Sequence, residues 1–280
     1  MYILTMAGSL MSMAACLALA AAPAVSPDHG DGGRVPAWAA RGMLGAGYLA
    51  GAAYASHYWW NSGVGRNPLA NVGEDEPYAV DKLWHLWNGE NLTDLHYWAL
   101  ERGWGRRSPW LAMGMTLAVL GSVELFDASN RDGYWKLSLW DGAADAAGVL
   151  LWYAKRRWPE RVPVEARVGI RQWGRTGEIF QRLARYPQER EKQSYSHWDD
   201  YAILKTEVII RPRGYFYVGG AASLKSDEYG RGLPENLFGV TVGFDLTRYL
   251  ADGRDDRWTR AIGVFGRYFS TSVAYTHWFE

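Results

Sequence analysis

The spacing of apolar residues changes once along the chain. Before about residue 160, apolar positions recur with the period of an α-helix; after residue 163 they alternate with polar positions, as in a half-exposed β-strand. A chain of 280 residues is long enough for a sizeable core in one or two domains. The pattern therefore predicts an α+β fold, with a helical domain at 36–160 and an antiparallel β-rich region at 161–280.

The first predicted helix, at 38–60, is apolar, rich in small residues and bounded by tryptophans. Its length and aromatic ends suit a membrane span. The Gly47-x-x-x-Gly51 motif also suits a buried helix that packs closely on its neighbours through a Gly/Ala face. We favour a buried or membrane-apposed helix, because no later segment offers an equally long apolar partner.

Two further helices have clear N-terminal signals. Pro77 suits the first position of a helix at 77–102, and Ser108-Pro109 supplies the N-cap and first position of a helix that continues to Phe126. The apolar part of the latter is too short to span a bilayer comfortably. It predicts a core helix or a shallowly embedded one.

The β-rich region predicts five or six antiparallel strands. The strand patterns lie at 164–170, 203–210, 215–224, 238–246 and 262–279, the last long enough for a hairpin. A charged excursion at 174–200 separates the first two. The C-terminal alternation is typical of outer-membrane barrel strands, but a closed bacterial barrel needs at least about eight strands. A soluble or membrane-resting sheet is therefore preferred.

Three of the predicted helices carry acidic and histidine residues three or four positions apart, so that each pair projects from one helix face. The pairs are Asp81 with His85, Glu124 with Asp127, and Asp141 with Asp145. Carboxylates and an imidazole are costly to bury without partners. We predict that the three faces converge in one cluster, which supplies the candidate site residues.

Most members of the cluster also have an ordinary structural role. Asp81 lies near a helix N-terminus, His85 suits a hydrogen-bonded core histidine, and Asp127 suits a helix end. Asp141 is the third residue after the N-cap Ser138, as in a capping box. Asp145 has no such role, and the small residues around it allow another helix backbone to approach closely.

Glu124 shares a helical stripe with Leu117 and Gly121, so it faces inward if that stripe is buried. A glutamate alone in a core has a raised pKa, whereas one beside Lys82 or His85 stays charged. The sequence leaves both situations open.

The order of these motifs resembles the YfiM-type family of predicted periplasmic lipoproteins, a domain of unknown function. The resemblance rests on DKxxH at 81–85, ELFD at 124–127, a Trp- and Ser-containing turn, and D-x-x-x-D-x-x-G at 141–148. It covers roughly residues 78 to 152. The family has no established activity, so the resemblance implies a place in the cell envelope rather than a chemistry.

Composition excludes some classes of protein. Lys+Arg and Asp+Glu are both 30, and this zero net charge argues against nucleic acid as a partner. With 48% hydrophobic residues and a mean hydropathy of -0.26, the chain is not an ordinary multi-span membrane protein. Its 16 Trp and 17 Tyr suit a bilayer interface, a carbohydrate platform or a bulky core.

Residues 1–25 have the apolar run and small-residue cleavage patterns of a secretory signal, followed by a linker at 26–36. The one cysteine, Cys16, lies within this segment; we expect it to be removed with the signal, with lipid modification as the alternative. Together with the resemblance, the segment predicts a periplasmic, membrane-associated protein, at the outer rather than the inner membrane. Its expected partner is membrane lipid or an envelope protein.

The sequence leaves three functional hypotheses open. The cluster is a structural or binding network, or a hydrolase centre for a lipid-linked or phosphate-bearing envelope substrate, or a pair of carboxylates for glycan handling. The motifs HExxH, G-x-S-x-G and the P-loop are absent, so the established catalytic classes gain no support. The pattern specifies neither a cofactor nor a metal.

Overall fold

The computed structural model describes residues 35–58, 65–73, 79–129, 131, 136–170, 204–211, 214–225, 235–251 and 273–279. The signal-like segment with Cys16, the turn at 132–135, the excursion at 174–200 and the start of the predicted final hairpin lie outside the described residues. The predicted α+β class is confirmed, because helices precede an antiparallel sheet.

The described helical part contains four α-helices and a short 3-10 turn at Pro68–Ala70. The helices are α1 (Ala37–Tyr58), α2 (Ala79–Trp104), α3 (Pro109–Ala128) and α4 (Leu139–Arg157). The predicted N-caps are confirmed: the Ser108 side chain accepts a hydrogen bond from the Leu111 N–H, and that of Ser138 from the Asp141 N–H.

The described strands form one antiparallel sheet in sequential order. They are β1 (Val164–Ile170), β2 (Leu204–Ile210), β3 (Phe216–Lys225), β4 (Glu235–Phe244) and β5 (Val273–Phe279). A short helix, α5 (Leu246–Ala251), follows β4 and was not anticipated from the sequence.

Helices α2 and α4 lie unusually close because glycines face the contact. A Cβ at Gly148 would overlap the Leu86 carbonyl oxygen of α2, and a Cβ at Gly89 would overlap the Asp145 carbonyl oxygen of α4. Lys82 contacts Asp141 near the helix starts, while Tyr97 stacks on Trp152 near the ends, so the two helices run parallel. The expected close approach around Asp145 is confirmed.

Helix α1 corrects one expectation. Among its described side chains, Ala40 and Leu44 are buried, whereas Leu49 is exposed. A Cβ at Gly47 would meet no atom within 4 Å, so the expected grip on close neighbours through this glycine is wrong. A Gly/Ala face permits close packing but does not supply the partner.

Helix α3 buries a different stripe from the expected one. Leu117 and Gly121 are exposed, whereas Met113 and Thr116 are buried. Glu124 shares the stripe of Leu117 but is nevertheless buried, because His85 of α2 and Asp145 of α4 lie against this end of α3. Among the described residues, α3 is the one helix long and apolar enough to cross a membrane by length and composition, and a third of its most apolar window is buried.

The sheet buries its polar side. Arg167 and Glu207 face each other across β1 and β2 and are both almost fully buried. Arg167 also contacts Asp245, with 2.6 Å between Nη2 and Oδ2. The expectation that β1 exposes its charged side is therefore wrong for Arg167. Alternation identifies residues that share a face, but not the face that meets solvent.

Helix α2 joins the two parts of the molecule. It packs on β1, β2 and β3, and its Glu90 carboxylate accepts a hydrogen bond from the Ala166 N–H of β1. At the start of α2 the Ala79 N–H donates to the Asn236 side chain of β4, at 2.9 Å. This packing fixes α2, and with it the first two residues of the cluster, against the sheet.

Candidate functional site

Three helices bring five of the six candidate residues together at one end of the helical part. Helix α2 supplies Asp81 and His85, α3 supplies Glu124, and α4 supplies Asp141 and Asp145. All except His85 are less than a tenth exposed. The predicted convergence is confirmed as geometry, while a catalytic role for these residues stays a prediction.

His85 lies at the centre of the cluster with one ring nitrogen toward each side. Its Nδ1 is 3.1 Å from Asp145 Oδ1, within hydrogen-bond distance. Its Nε2 is 3.8 Å from Asp81 Oδ1 and 3.9 Å from Asp141 Oδ1. The side chain is 12% exposed, so solvent reaches the ring.

Lys82 is a member of the cluster that the candidate set omitted. Its Nζ lies 2.5 Å from Asp141 Oδ1 and 3.1 Å from Asp81 Oδ2, so one cation bridges two carboxylates. The sequence feature that could have identified Lys82 is its position directly after Asp81, which places it at the edge of the same helix face. Its charge offsets much of the cost of burying these two aspartates.

Within the cluster, Glu124 is the residue whose burial is least offset by favourable contacts. It is 6% exposed, and within the part of the chain that the structure describes it has no hydrogen-bond partner. Burial raises the pKa of its carboxyl well above the usual range, and the charges of Asp141 and Asp127 add to this, whereas His85 opposes it. Of the two situations that the sequence leaves open for Glu124, the structure favours a raised pKa, because desolvation outweighs the attraction of His85.

The two partners His85 and Asp145 both hold a proton more tightly than usual. Burial alone would lower the pKa of His85, but the carboxylates of Asp145, Asp141 and Asp81 raise it well above its ordinary value. Burial raises the pKa of Asp145, opposed by its contact with His85. The surrounding carboxylates therefore favour the protonated imidazole, in which the Nδ1–H donates to Asp145.

Asp127 lies next to the cluster rather than in it. It is buried near the end of α3, and its charge contributes to the raised pKa of Glu124. Its backbone carbonyl accepts a hydrogen bond from the Ser129 N–H as the helix ends. The expected role at a helix end fits this position, and Asp127 is not in either of the ligand groups described next.

Two overlapping groups of described residues place ligand atoms within 4.8 Å of one another. They are Asp81 with His85 and Asp141, and His85 with Glu124 and Asp145. Lys82 already supplies a positive charge to the first group. The second group combines one imidazole with two carboxylates, a donor set suited to a divalent transition-metal ion.

A second buried histidine belongs to a separate site. His96 hydrogen-bonds with Thr116 Oγ1 at 2.8 Å and with the Tyr48 hydroxyl. Burial lowers the pKa of His96 to about 4 and raises the pKa of Tyr48 to about 12. It shares the stripe of Asp81 and His85 on α2, but its neutral, uncharged surroundings identify it as a hydrogen-bonded core histidine.

Comparisons with known protein families, with curated proteins and with solved structures found no match for this chain.

Proposed function

We propose that this is a membrane-associated protein of the bacterial cell envelope whose helical part binds a divalent transition-metal cation. The envelope location rests on the signal-like segment and on the resemblance of the helical motifs. The cation site rests on one observation: Glu124, buried and without a hydrogen-bond partner among the described residues, lies beside His85 and Asp145.

The ligands would be the Nδ1 atom of His85 and the carboxylates of Glu124 and Asp145. The opposite ring nitrogen of His85 lies 3.8 Å from Asp81 and 3.9 Å from Asp141, beyond hydrogen-bond distance, so these carboxylates act on the ring through their charge. Lys82 holds these two aspartates in place. Without a metal, the site holds protons on Glu124 and on His85 Nδ1, and a bound cation would displace both.

A thermal melt with Zn²⁺ or with EDTA tests this proposal. An ion that binds the native state alone stabilises it by about 2.7 kcal/mol at 100 times its dissociation constant. We expect Zn²⁺ to raise the melting temperature of the native chain, and we expect no such rise for Glu124→Gln, which keeps the side-chain shape but loses the charge.

The matched control is Asp94→Asn. Asp94 is a carboxylate on α2, the helix of His85, but it accepts a hydrogen bond from the Trp152 side chain and lies outside the ligand group. Its variant should keep the full response to Zn²⁺. An equal response in Glu124→Gln and in the native chain would overturn the site, as would no response in any of the three.

A second candidate function is hydrolysis of a lipid-linked or phosphate-bearing substrate. Three protein ligands leave coordination positions for water, as in catalytic zinc sites, and the 12% exposure of His85 gives solvent access. Release of inorganic phosphate from phosphatidic acid vesicles by the Zn²⁺-treated protein, lost in Glu124→Gln, would support it. Cation binding without turnover would leave binding as the function.

A further inference from the structure

Among the described strand residues, one face of the sheet carries no Asp, Glu, Lys or Arg, and most of this face is exposed. Side chains directly paired across four strands form an apolar row on this face, and further apolar residues flank the row. The set includes Ile210, Val218, Val240, Val242, Tyr275 and Phe279, each at least 40% exposed. Among the described residues of β2 to β5 on this face there is no Asp, Glu, Lys or Arg.

The opposite face is buried, and it combines paired charged residues with apolar residues such as Ile209, Ala221 and Leu237. Lys205 lies 2.7 Å from Glu207, and Arg211 lies 2.7 Å from Asp245, all of them buried. A sheet in water normally buries its apolar face and exposes its polar face. This sheet instead buries the face that holds its charged residues and exposes most of the charge-free face, which therefore suits surroundings less polar than water.

A cationic and aromatic surface adjoins the sheet, and we call it the Trp/Arg end. It forms where the ends of α2 and α4 meet the starts of α1 and α3. Its members are Trp38, Trp104, Trp110 and Trp158 together with Arg106, Arg107, Arg156, Arg157 and Arg161, all exposed. Two carboxylates, Glu101 and Glu160, lie in the same region, and Glu101 is paired with Arg107.

Helix dipoles explain only part of this surface. Cations near the ends of α2 and α4 offset the partial negative charge of a helix C-terminus. They do not explain Trp110 and Trp158, which are 67% and 45% exposed. Exposed tryptophan beside arginine is the composition of a protein surface at lipid headgroups, where the ring meets the interface and the cation meets phosphate.

The two surfaces are continuous along the chain. Trp158 and Arg161 lie a few residues before β1, and the Arg211 N–H, at the end of β2, donates to the Pro163 carbonyl at 2.9 Å. The Trp/Arg end thus lies beside the end of the sheet that carries Ile210 and Val218. Lipid contact at one surface brings the other to the same bilayer.

We infer that the apolar face of the sheet contacts acyl chains, and that the Trp/Arg end binds the headgroups of an anionic phospholipid bilayer. This inference rests on the proposed envelope location and names the surface involved. It does not depend on the cation site, so the Zn²⁺ experiment and the lipid experiment fail separately.

Flotation of the purified full chain with vesicles tests the headgroup contact. The vesicles contain phosphatidylcholine alone, or phosphatidylcholine mixed with phosphatidylglycerol. We expect tighter binding to the anionic vesicles. Each arginine near a lipid surface contributes about fivefold in affinity, so the double variant Arg157→Gln/Arg161→Gln should lose about 25-fold on anionic vesicles. Melting temperatures measured without lipid confirm that the variant folds.

The matched control removes two exposed arginines at the other end of α3. Arg66 and Arg131 lie there, with Arg66 Nε donating to the Arg131 carbonyl, and their double change to glutamine should leave vesicle affinity unaltered. An equal loss in both double variants would overturn the headgroup assignment. So would absence of binding to either vesicle.

A fluorescent label tests the acyl-chain contact. In a Cys16→Ser background, an environment-sensitive dye on Val240→Cys should shift to shorter wavelength with vesicles, whereas the dye on Arg131→Cys should not. A Val240 dye that stays in water while the protein floats would overturn the contact. So would a shift that appears without lipid in a dimer, because a second copy of the chain would then cover the face.

Discussion

Glu124 shows how a single buried carboxyl links stability to pH. Its folded-state pKa is raised well above the usual range, chiefly by burial. The folded protein therefore holds this proton more tightly than the unfolded chain does. The resulting stability is fully present below the unfolded pKa of about 4.3, and it is lost as pH rises toward the folded pKa. The pKa of His85 is also raised, so its contribution to stability is likewise lost as the pH rises above about 6.5.

We predict that, in the presence of EDTA, the free energy of unfolding of Glu124→Gln varies less with pH than that of the native chain. The amide resembles the protonated acid, so at about pH 8 the variant should be more stable than the native chain by on the order of 1–2 kcal/mol. Urea unfolding at a series of pH values measures it. Asp94→Asn leaves the cluster intact, so its free energy of unfolding should change with pH as steeply as that of the native chain. Parallel curves for Glu124→Gln and the native chain would contradict the prediction.

The residues of the cluster were predictable, but their electrostatics were not. Helical spacing places the members of each pair on one helix face, and the cost of burying charges without partners predicts that the three faces meet, as they do at His85, Glu124 and Asp145. The state of Glu124 depends on how much water its carboxyl loses and on the distances to several charges. Both are properties of the packed helices, and no local pattern contains them.

At the scale of the elements, the contact between α2 and α4 decides whether the cluster forms. Gly89 and Gly148 leave room only for a hydrogen atom at the contact, since an added Cβ would overlap a carbonyl oxygen of the opposite helix. A backbone atom cannot move away as a flexible side chain can. The helices must separate to accept any side chain there, and the distance from His85 to Asp145 would increase.

We predict that Gly148→Ala destabilises the protein by about 1–3 kcal/mol, the usual cost of overpacking. The matched control is Gly121→Ala on α3, where a Cβ would meet no atom within 4 Å. Because alanine favours helix over glycine by about 1 kcal/mol, this control should gain stability. Thermal melts measure both changes. If the two variants shift in the same direction, α2 and α4 are not in the close contact described.

Helix starts were predictable from the sequence, whereas helix environments were not. Ser108 and Ser138 begin their helices through hydrogen bonds within three residues, so the local sequence is sufficient. The buried stripe of α3 and the exposure of α1 depend on which other elements lie nearby. A pattern of apolar residues indicates which helix faces can pack, and the positions of the neighbouring elements determine which of these faces are buried.

At the scale of the whole molecule, zero net charge conceals a strong separation of polarity. Charged residues are paired inside the sheet, and exposed arginines collect at the Trp/Arg end. Composition argued against a nucleic-acid partner, and it gave no sign of this arrangement. Alternation in β1 to β5 predicted the sheet, and it did not predict that the apolar side faces outward, because both orientations have the same period.

The packing of α2 on the sheet predicts that helices and sheet unfold together. Glu90 lies at the junction, where its carboxylate pairs with Lys155 of α4 and accepts from the Ala166 N–H of β1. Glu90→Gln weakens a buried charged hydrogen bond and should cost about 1.5–3 kcal/mol. The loss should appear equally in α2 and in β2, because the junction holds both.

Hydrogen exchange measured by mass spectrometry separates the two parts. Peptides from α2 and from β2 should lose protection by the same free energy in Glu90→Gln. Glu101→Gln is the control, since Glu101 forms only a surface ion pair with Arg107, worth about 0–1 kcal/mol. If protection falls in α2 but is unchanged in β2, the helical part and the sheet are independent folding units, and the domain boundary near residue 160 is a real thermodynamic boundary.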